Sequence, residues 1–272
     1  MFNFLHTFSP SPILLQLGDL KIHWYGLFIV LGILAGLFII LKLADYYKLN
    51  KDDIIDASFW IIIGGIIGGR IYDVLLELPF YLKYPMDVFK IWQGGLAIHG
   101  AIILGLVTTI IMARKKNIPL LPFIAITVPG LALAQAIGRW GNYFNQELFG
   151  LPTSLPWGIP ISPINRVPEY YFDNYFHPTF LYESLGNLVI FIILIYLHHL
   201  IKKNKIQKIA NEIVIATYLI SYSILRFLLE FIKIDKTPVI FSLRFPQFIS
   251  IIIVIGTIIW LVLQKRKNRA TL

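Results

Sequence analysis

Long apolar segments alternate with short polar ones along most of the sequence. Each apolar segment is about 20 residues long, which is the length that an α-helix needs to cross the hydrocarbon core of a bilayer. The ten-residue alternation typical of a membrane β-barrel is absent from the sequence. The pattern therefore predicts an all-α integral membrane protein. Its seven transmembrane helices are expected at residues 22–41, 54–76, 96–113, 118–138, 178–200, 212–232 and 245–263.

The longest interruption lies between the fourth and fifth apolar segments, at residues 139–177. It contains five of the fifteen prolines and ten aromatic residues. This composition is typical of a compact, irregular segment, because prolines and glycines end regular helices. We call residues 139–177 the head. We expect it to be a small insertion within a single polytopic membrane domain that spans residues 1–272.

Composition agrees with a membrane protein and argues against nucleic acid as a partner. Hydrophobic residues make up 57% of the chain and charged residues 14%, against about 25% charged residues in soluble domains. The net charge of +9 does not indicate nucleic-acid binding, because the basic residues form short clusters between apolar segments. Such clusters set topology and contact anionic membrane lipids. No cysteine is present, so the chain offers no thiolate of its own, and the first basic residue is Lys21, so no cleavable signal peptide is expected.

The distribution of basic residues predicts the orientation in the membrane. Fourteen lysines and arginines lie in one set of alternate loops, against eight in the other set. Because cytoplasmic loops carry the excess of basic residues, the first set is expected inside. The N-terminus and the head are then extracytoplasmic, and the C-terminus is cytoplasmic. The fourteen are Lys42, Lys48, Lys51, Arg114, Lys115, Lys116, Lys202, Lys203, Lys205, Lys208, Lys265, Arg266, Lys267 and Arg269.

Polar and ionisable residues accumulate near the predicted outer ends of six of the seven helices. An arginine inside a span costs about 2.5–3.5 kcal/mol on insertion scales, so each one needs a reason. Arginine presents a planar fork of donors that suits phosphate oxygens. Several arginines at one depth therefore indicate a site for a phospholipid headgroup. The converging residues are Tyr25, Arg70, His99, Arg139, Asn142, His177, Tyr182, Glu183 and Arg226.

Two alternatives stand beside this interpretation. Arg226 and Glu230 are four residues apart, and Arg70 and Asp73 three, so each pair can be purely structural. The polar residues also suit a transporter or channel for an anionic lipid or organic phosphate. A conduction path should carry polar residues to the cytoplasmic side as well, whereas the inner halves of these spans are mostly Ile and Leu.

The stretch "GRWGNYFNQELFG" at residues 138–150 resembles the signature of the prolipoprotein diacylglyceryl transferase family. Further matches follow in chain order: "IHWYGL", "GGRIYDVL", "WQGGLAIHGA", "HPTFLYESL", "SYSILRFLLEFIK" and "FPQFIS". Tyr143 replaces the usual phenylalanine of the signature, and the chain also departs from the family pattern at Asp73, Ala125 and Pro246. None of these positions is one that we assign to the chemistry.

The resemblance implies a reaction and its partners. A diacylglyceryl group moves from phosphatidylglycerol to the thiol of the lipobox cysteine in a lipoprotein precursor, a thioether forms, and glycerol phosphate leaves. The expected partners are phosphatidylglycerol, the signal-peptide-bearing precursor and membrane lipids, without nucleic acid. The expected location is the bacterial cytoplasmic (inner) membrane. No metal or other cofactor is expected.

The resemblance also marks candidate site residues. Arg139 and Arg226, at essential positions of the family, are expected to stabilise charge on the phosphate, and His99 is the candidate base for the thiol proton. Alternatively, the arginines lower the pKa of the thiol enough to make a base unnecessary. The expected substrate-binding residues are Arg139, Asn142, Arg70, Tyr25, Glu147, Gly150, Tyr222 and Glu230.

Overall fold

The computed structural model describes residues 2–18, 20–203, 206 and 209–270. Lys205 and Lys208, two of the basic residues counted for the orientation, lie outside the described residues. The described part contains nine α-helices: α1 Phe2–Thr7, α2 Trp24–Tyr46, α3 Lys51–Leu76, α4 Leu78–Lys83, α5 Ile98–Lys115, α6 Leu120–Asn145, α7 Thr179–Lys202, α8 Ala210–Leu229 and α9 Phe245–Ala270.

Seven of the described helices are long and apolar enough to cross a membrane, which confirms the predicted all-α membrane fold. They are α2, α3, α5, α6, α7, α8 and α9. The largest differences in bounds concern the ends of α6 and α9, which continue to Asn145 and Ala270 instead of ending at residues 138 and 263. The polar residues of the signature looked like loop residues in the sequence. They remain helical because neighbouring parts of the protein bury them, as for Asn142 at 5% exposure.

The connection from α6 to α7 is irregular and begins at Gln146, seven residues later than the predicted head. It contains the short strands β3 (Ile159–Pro160) and β4 (Tyr175–Phe176), which pair antiparallel. An apolar cluster holds this connection against the ends of α6 and α7 and against the N-terminal segment. The cluster comprises Leu5, Tyr143, Phe149, Ile159, Ile161, Phe176 and Phe180.

Two further hairpins were not predicted. Strands β1 (Ile13–Leu17) and β2 (Leu20–His23) precede α2, and strands β5 (Val239–Ile240) and β6 (Leu243–Arg244) precede α9. These strands are too short to leave an alternating pattern in the sequence. Each hairpin brings the chain directly into the first turn of a long helix.

The chain forms two compact units. One comprises residues 1–40 and 127–272, and the other comprises residues 41–126. In the second unit, α3 packs against α5 through glycines: a Cβ at Gly68 would collide with the carbonyl oxygen of Gly100. Close approach of two helices through small residues is common in membranes, where dispersion contacts between backbones replace the hydrophobic effect. Asn50 caps α3, since its Oδ1 accepts from the backbone N–H of Asp52 at 2.9 Å.

In the first unit, α2 meets α6 through the same kind of contact. A Cβ at Gly36 would lie 2.9 Å from the carbonyl oxygen of Gly130, and one at Gly32 would lie 3.0 Å from that of Ala134. Helices α7 and α8 pack where Gly186 faces Leu225. These contacts bring the end of α6 that carries the signature into one unit with α2, α7 and α8.

Candidate active site

The predicted site residues divide between the two units. Arg70 and His99 belong to the unit 41–126. The other predicted residues belong to the unit formed by residues 1–40 and 127–272, and most of them meet in one charged cluster at the ends of α6, α7 and α8. They are Tyr25, Arg139, Asn142, Glu147, Gly150, Tyr222, Arg226 and Glu230.

Glu183, in the first turns of α7, is the centre of the cluster. Its side chain is buried, with 2% of the residue exposed. Three cations surround its carboxylate: Arg139 Nε lies 2.5 Å from Oε2, Lys233 Nζ 2.5 Å from Oε1, and Arg226 Nη1 3.3 Å from Oε1. Because a buried carboxylate is costly without such partners, the three cations are what permits Glu183 to stay ionised there.

Glu230, one residue past the end of α8, is the second carboxylate of the cluster and is fully buried. It pairs with Arg226 Nη2 and with Arg244 Nε, each at 3.1 Å. The i, i+4 pair that the sequence suggested is therefore formed. It is one contact of a larger network, because Arg226 stands between Glu183 and Glu230 and touches both.

The signature residues continue the network from Arg139. Arg139 Nη1 donates to Asn142 Oδ1 at 3.3 Å, and Asn142 Nδ2 donates to Glu147 Oε1 at 2.7 Å. Glu147 stands between Gln146 and Leu148, whose φ values of 52° and 54° lie in the left-handed region. Non-glycine residues in that region cost about 1–3 kcal/mol each in strained settings, and they are frequent at functional sites.

Two tyrosines border the arginines. Tyr25, at the start of α2, lies close to both Arg139 and Glu147, and its ring faces Gly141, where a Cβ would come within 2.7 Å of Cδ2. Tyr222, one turn before Arg226 on α8, lies within hydrogen-bonding reach of Arg139. Both hydroxyls therefore stand beside the arginine that was predicted to bind phosphate.

Gly150 has a packing role in this arrangement. Its backbone N–H donates to the carbonyl of His177 at 2.9 Å, and it forms a β-bridge with Lys233. A Cβ at Gly150 would lie 2.7 Å from the carbonyl oxygen of Ile232 and 2.9 Å from the Cβ of His177. Only glycine lets the three chain segments approach this closely, so Gly150 fixes Lys233 and α7 relative to the signature.

The charges of the cluster do not cancel. Four cations, Arg139, Arg226, Lys233 and Arg244, surround two buried carboxylates, so these six groups carry a net charge of +2. The exposed carboxylate of Glu147 lowers the total for the cluster to +1. Lys233 is itself buried, at 4% exposure, and burial together with Arg226 and Arg139 lowers the pKa of its ammonium, against the opposing effect of Glu183. An excess of positive charge built largely from arginine forks is suited to an anion such as phosphate.

Comparison with known proteins identifies the family. A model of the prolipoprotein diacylglyceryl transferase family matches residues 12–263. The chain belongs to this family. Named phosphatidylglycerol–prolipoprotein diacylglyceryl transferases are similar to it along most of their length. One from Synechococcus elongatus is 42% identical over 93% of this chain and 87% of the relative, and one from Nostoc sp. is 40% identical over 97% and 93%. One from Gloeobacter violaceus is 40% identical over 96% of each chain.

In this member of the prolipoprotein diacylglyceryl transferase family, sequence reasoning did not assign a role to Glu183, Lys233 or Arg244. Glu183 was noted among the converging residues, and it lies in the family match "HPTFLYESL". Lys233 and Arg244 are two of the eight basic residues in the second set of loops and had no other predicted role. A signal was available for Lys233, because it closes the match "SYSILRFLLEFIK", seven residues after Arg226.

Arg244 is held by three backbone carbonyls in addition to its pair with Glu230. Its guanidinium donates to the carbonyls of Glu230, Lys233 and Asp235, while Nε lies 3.1 Å from the hydroxyl of Thr237. The backbone N–H of Arg244 donates to Oε1 of Gln247, in the "FPQFIS" match, at 3.1 Å. Arg244 therefore fixes the turn after α8 and, with it, the carboxylate of Glu230.

In the unit 41–126, Arg70 is engaged in a similar way. Its Nε donates to the carbonyl of Val88 at 2.8 Å and its Nη1 to those of Gly94 and Gly95 at 2.8 and 2.9 Å, while Nη2 donates to the carbonyl of Asp87. These contacts use four of the five N–H groups of a guanidinium. The pair with Asp73 is longer, at 3.7 Å. The structure gives Arg70 the role of holding residues 87–95, and its substrate-binding role stays a prediction.

His99 is the second residue of α5 and is exposed. Its ring lies 5.9 Å from that of Tyr72, centroid to centroid. Nothing in its own unit occupies it in an ion pair among the described contacts. Its role as the base for the thiol proton stays a prediction.

Proposed function

We propose that this chain transfers the diacylglyceryl group of phosphatidylglycerol to the thiol of the lipobox cysteine of lipoprotein precursors. The curated relatives carry the names of phosphatidylglycerol–prolipoprotein diacylglyceryl transferases and cover the same length of chain. The structural observation that supports the assignment most is the pairing of Arg139 and Arg226 through one buried carboxylate, Glu183. Two guanidinium groups fixed in this way can hold one phosphate between them.

The chemistry requires a negative charge to grow on the phosphate. The thiol sulfur attacks the glyceryl carbon and forms the C–S bond, while the bond from that carbon to the phosphate oxygen breaks and its electron pair stays on that oxygen. A phosphodiester with one negative charge thus becomes a phosphomonoester with up to two. A site with a net positive charge in a partly desolvated cluster stabilises the product charge more than the substrate charge, which is what lowers the barrier.

Seven of the ten predicted residues have a part in this proposal. Arg139 and Arg226 bind the phosphate and stabilise the departing oxygen. Asn142 and Glu147 keep the guanidinium of Arg139 in its orientation, and the hydroxyls of Tyr25 and Tyr222 border the phosphate. His99 takes the thiol proton. Because the free thiol has a pKa of about 8.5, a base that titrates near neutrality is useful at physiological pH.

The protein is a multi-pass membrane protein, and we propose that the charged cluster faces the extracytoplasmic half of the cytoplasmic membrane. The N-terminus and the segment 146–178 would then be outside and the C-terminus inside, as the basic residues predict. Both substrates are held in the membrane, the lipid in its leaflet and the precursor by its signal-peptide helix. They would reach the cluster from the side, between helices.

The direct test is thioether formation by the purified protein. The protein is incubated in vesicles with phosphatidylglycerol and a signal peptide that contains a lipobox cysteine, and the peptide mass is measured. The expected result is a peptide heavier by one diacylglyceryl group, with glycerol phosphate released in equal amount. A peptide with serine in place of that cysteine, and vesicles of phosphatidylcholine alone, are the controls. Flux of the lipid across the vesicle membrane without modified peptide would favour a transporter instead.

A further inference from the structure

Lys233 is the most unusual group of the cluster, because it is a lysine with 2% of its side chain exposed, in a membrane protein, beside two arginines. Ordinary lysines almost never become buried to this extent without a partner. Its partner is Glu183 at 2.5 Å, yet Glu183 already has Arg139 and Arg226. Neutralising Glu183 does not require a third cation, so the burial of Lys233 calls for another explanation.

We infer that Lys233 is a positioning residue for the transfer reaction: it engages the Glu183 carboxylate so that this carboxylate orients Arg226 without neutralising it. The inference rests on the proposed function. Lys233 and Arg226 share the same oxygen, Oε1 of Glu183, at 2.5 and 3.3 Å. The shorter contact takes the larger part of the charge of that oxygen, because the Coulomb energy varies with the inverse of distance.

The second contact of Arg226 follows the same pattern. Its Nη2 pairs with Glu230, and Glu230 is also paired with Arg244. Arg226 therefore lies between two carboxylates, each of which has a second cation of its own. This arrangement fixes the direction of the guanidinium while leaving part of its positive charge uncompensated, which is what phosphate binding requires.

The backbone around Lys233 is fixed as well. Lys233 forms a β-bridge with Gly150, and Leu151 N–H donates to the carbonyl of Ile232 at 2.8 Å. Arg244 donates to the carbonyl of Lys233 itself. The ammonium is therefore presented to Glu183 from a position tied both to the signature and to the turn after α8, as a positioning role requires.

The positioning role requires the positive charge of Lys233 and not only its shape. The charged groups that face it are Glu183 on α7, Arg139 on α6, Arg226 at the end of α8, and Glu230 and Arg244 beyond that end. Without the ammonium, the net charge of the six groups falls from +2 to +1. Glu183 is then free to engage Arg226 more closely and to compete with the phosphate.

Two substitutions separate charge from shape. Lys233→Met keeps a long unbranched side chain without charge, and Lys233→Arg keeps the charge. The matched control is Lys236→Met, at an exposed lysine three residues further on. For each purified variant, kcat and KM for phosphatidylglycerol are measured by thioether formation, and folding is checked by thermal unfolding. The expected kcat/KM of Lys233→Met is about 10- to 100-fold below that of the wild type, since misplacement of a reacting group by about 1 Å costs up to about 10²-fold.

A pH profile supplies a readout that a purely structural lysine would not change. The pKa of Lys233 is lowered by burial and by its arginine neighbours, so the ammonium loses its charge at a lower pH than an exposed lysine does. A guanidinium keeps its charge throughout the accessible range. The activity of Lys233→Arg relative to the wild type should therefore begin to rise at a pH below the ordinary lysine pKa of about 10.4. Ionisation of the substrate thiol affects both enzymes equally and cancels in the ratio.

The outcomes distinguish this inference from the proposed function. An active wild type with folded Lys233→Met at wild-type kcat/KM would refute the positioning role alone. Equal losses in Lys233→Met and Lys233→Arg, with a flat activity ratio against pH, would also refute it, because shape and not charge would then matter. A folded wild type that forms no thioether would overturn the proposed function and the inference with it.

Discussion

Replacement of Glu183 by glutamine tests the structure at the point where most of its buried charges meet. The change removes one negative charge and keeps the size of the side chain. Lys233 loses a partner at 2.5 Å in a site where its side chain is 2% exposed, whereas Arg139 and Arg226 are partly solvated, at 22% and 23%. The loss should therefore come mainly from the Lys233 ammonium, which is left buried without its counter-ion.

The size of the effect follows from these burials. Removing one partner of a buried ion pair costs about 3–5 kcal/mol. One kcal/mol shifts the midpoint of thermal unfolding by about 2–4 °C in a chain of roughly this length, so Glu183→Gln should unfold about 6–20 °C below the wild type. Glu169→Gln is the matched control, at an exposed glutamate between α6 and α7, and it should change the midpoint little, as surface substitutions usually do.

The assay is thermal unfolding in detergent, with and without added phosphatidylglycerol. Because Glu183→Gln leaves the cluster more positive, the anionic lipid should raise its midpoint more than it raises that of the wild type. A ligand at 100 times its dissociation constant stabilises a protein by about 2.7 kcal/mol. A Glu183→Gln protein that unfolds at the wild-type temperature, with no greater response to the lipid, would refute the assignment of Glu183 as the centre of a positive cluster.

Three other predictions concern topology, the base and packing. Single cysteines at Ser154 and Lys203, both exposed in a chain without native cysteine, should label from opposite faces of intact cells; labelling from one face would contradict the proposed orientation. His99→Gln should keep lipid affinity but slow the chemical step, with partial recovery as pH approaches the thiol pKa of about 8.5; weaker lipid binding without recovery would indicate an orienting role instead. Gly150→Ala should destabilise the fold by about 1–3 kcal/mol in the same unfolding assay, since its Cβ would lie 2.7 Å from a carbonyl oxygen. Gly105→Ala is the control and should cost nothing, because a Cβ there meets open space.

The transmembrane helices could be predicted because the bilayer sets both their length and their composition. Seven apolar segments gave seven helices of the expected type. Their ends were less predictable, and α6 shows why. Residues 139–145 are polar and glycine-containing, which is typical of a loop, but tertiary contacts bury Asn142 and Tyr143 and keep the backbone helical. Contacts of this kind join residues distant in the sequence and leave no local pattern.

The same distinction applies to the site. The cost of charge inside a membrane indicated which arginines needed a partner, and the pair of Arg226 with Glu230 followed from helical spacing. The ion-pair partners that come from other helices and loops could not be predicted from helical spacing. Lys233 meets Glu183 across fifty positions of sequence, which no spacing rule predicts. Arg70 binds backbone carbonyls, which every residue possesses.

The most direct measurement is the effect of replacing the two phosphate-binding arginines by lysine. Lysine keeps the positive charge but loses the planar fork that allows one side chain to hold a carboxylate and a phosphate oxygen together. For Arg139→Lys and Arg226→Lys, kcat/KM for thioether formation should fall by about 10²–10³-fold, equivalent to about 2.7–4 kcal/mol, as for the loss of one oxyanion donor. Arg114→Lys, at an exposed arginine near the end of α5, should retain wild-type activity. Folded Arg139→Lys with near-wild-type kcat/KM would contradict the role of its guanidinium in holding the phosphate.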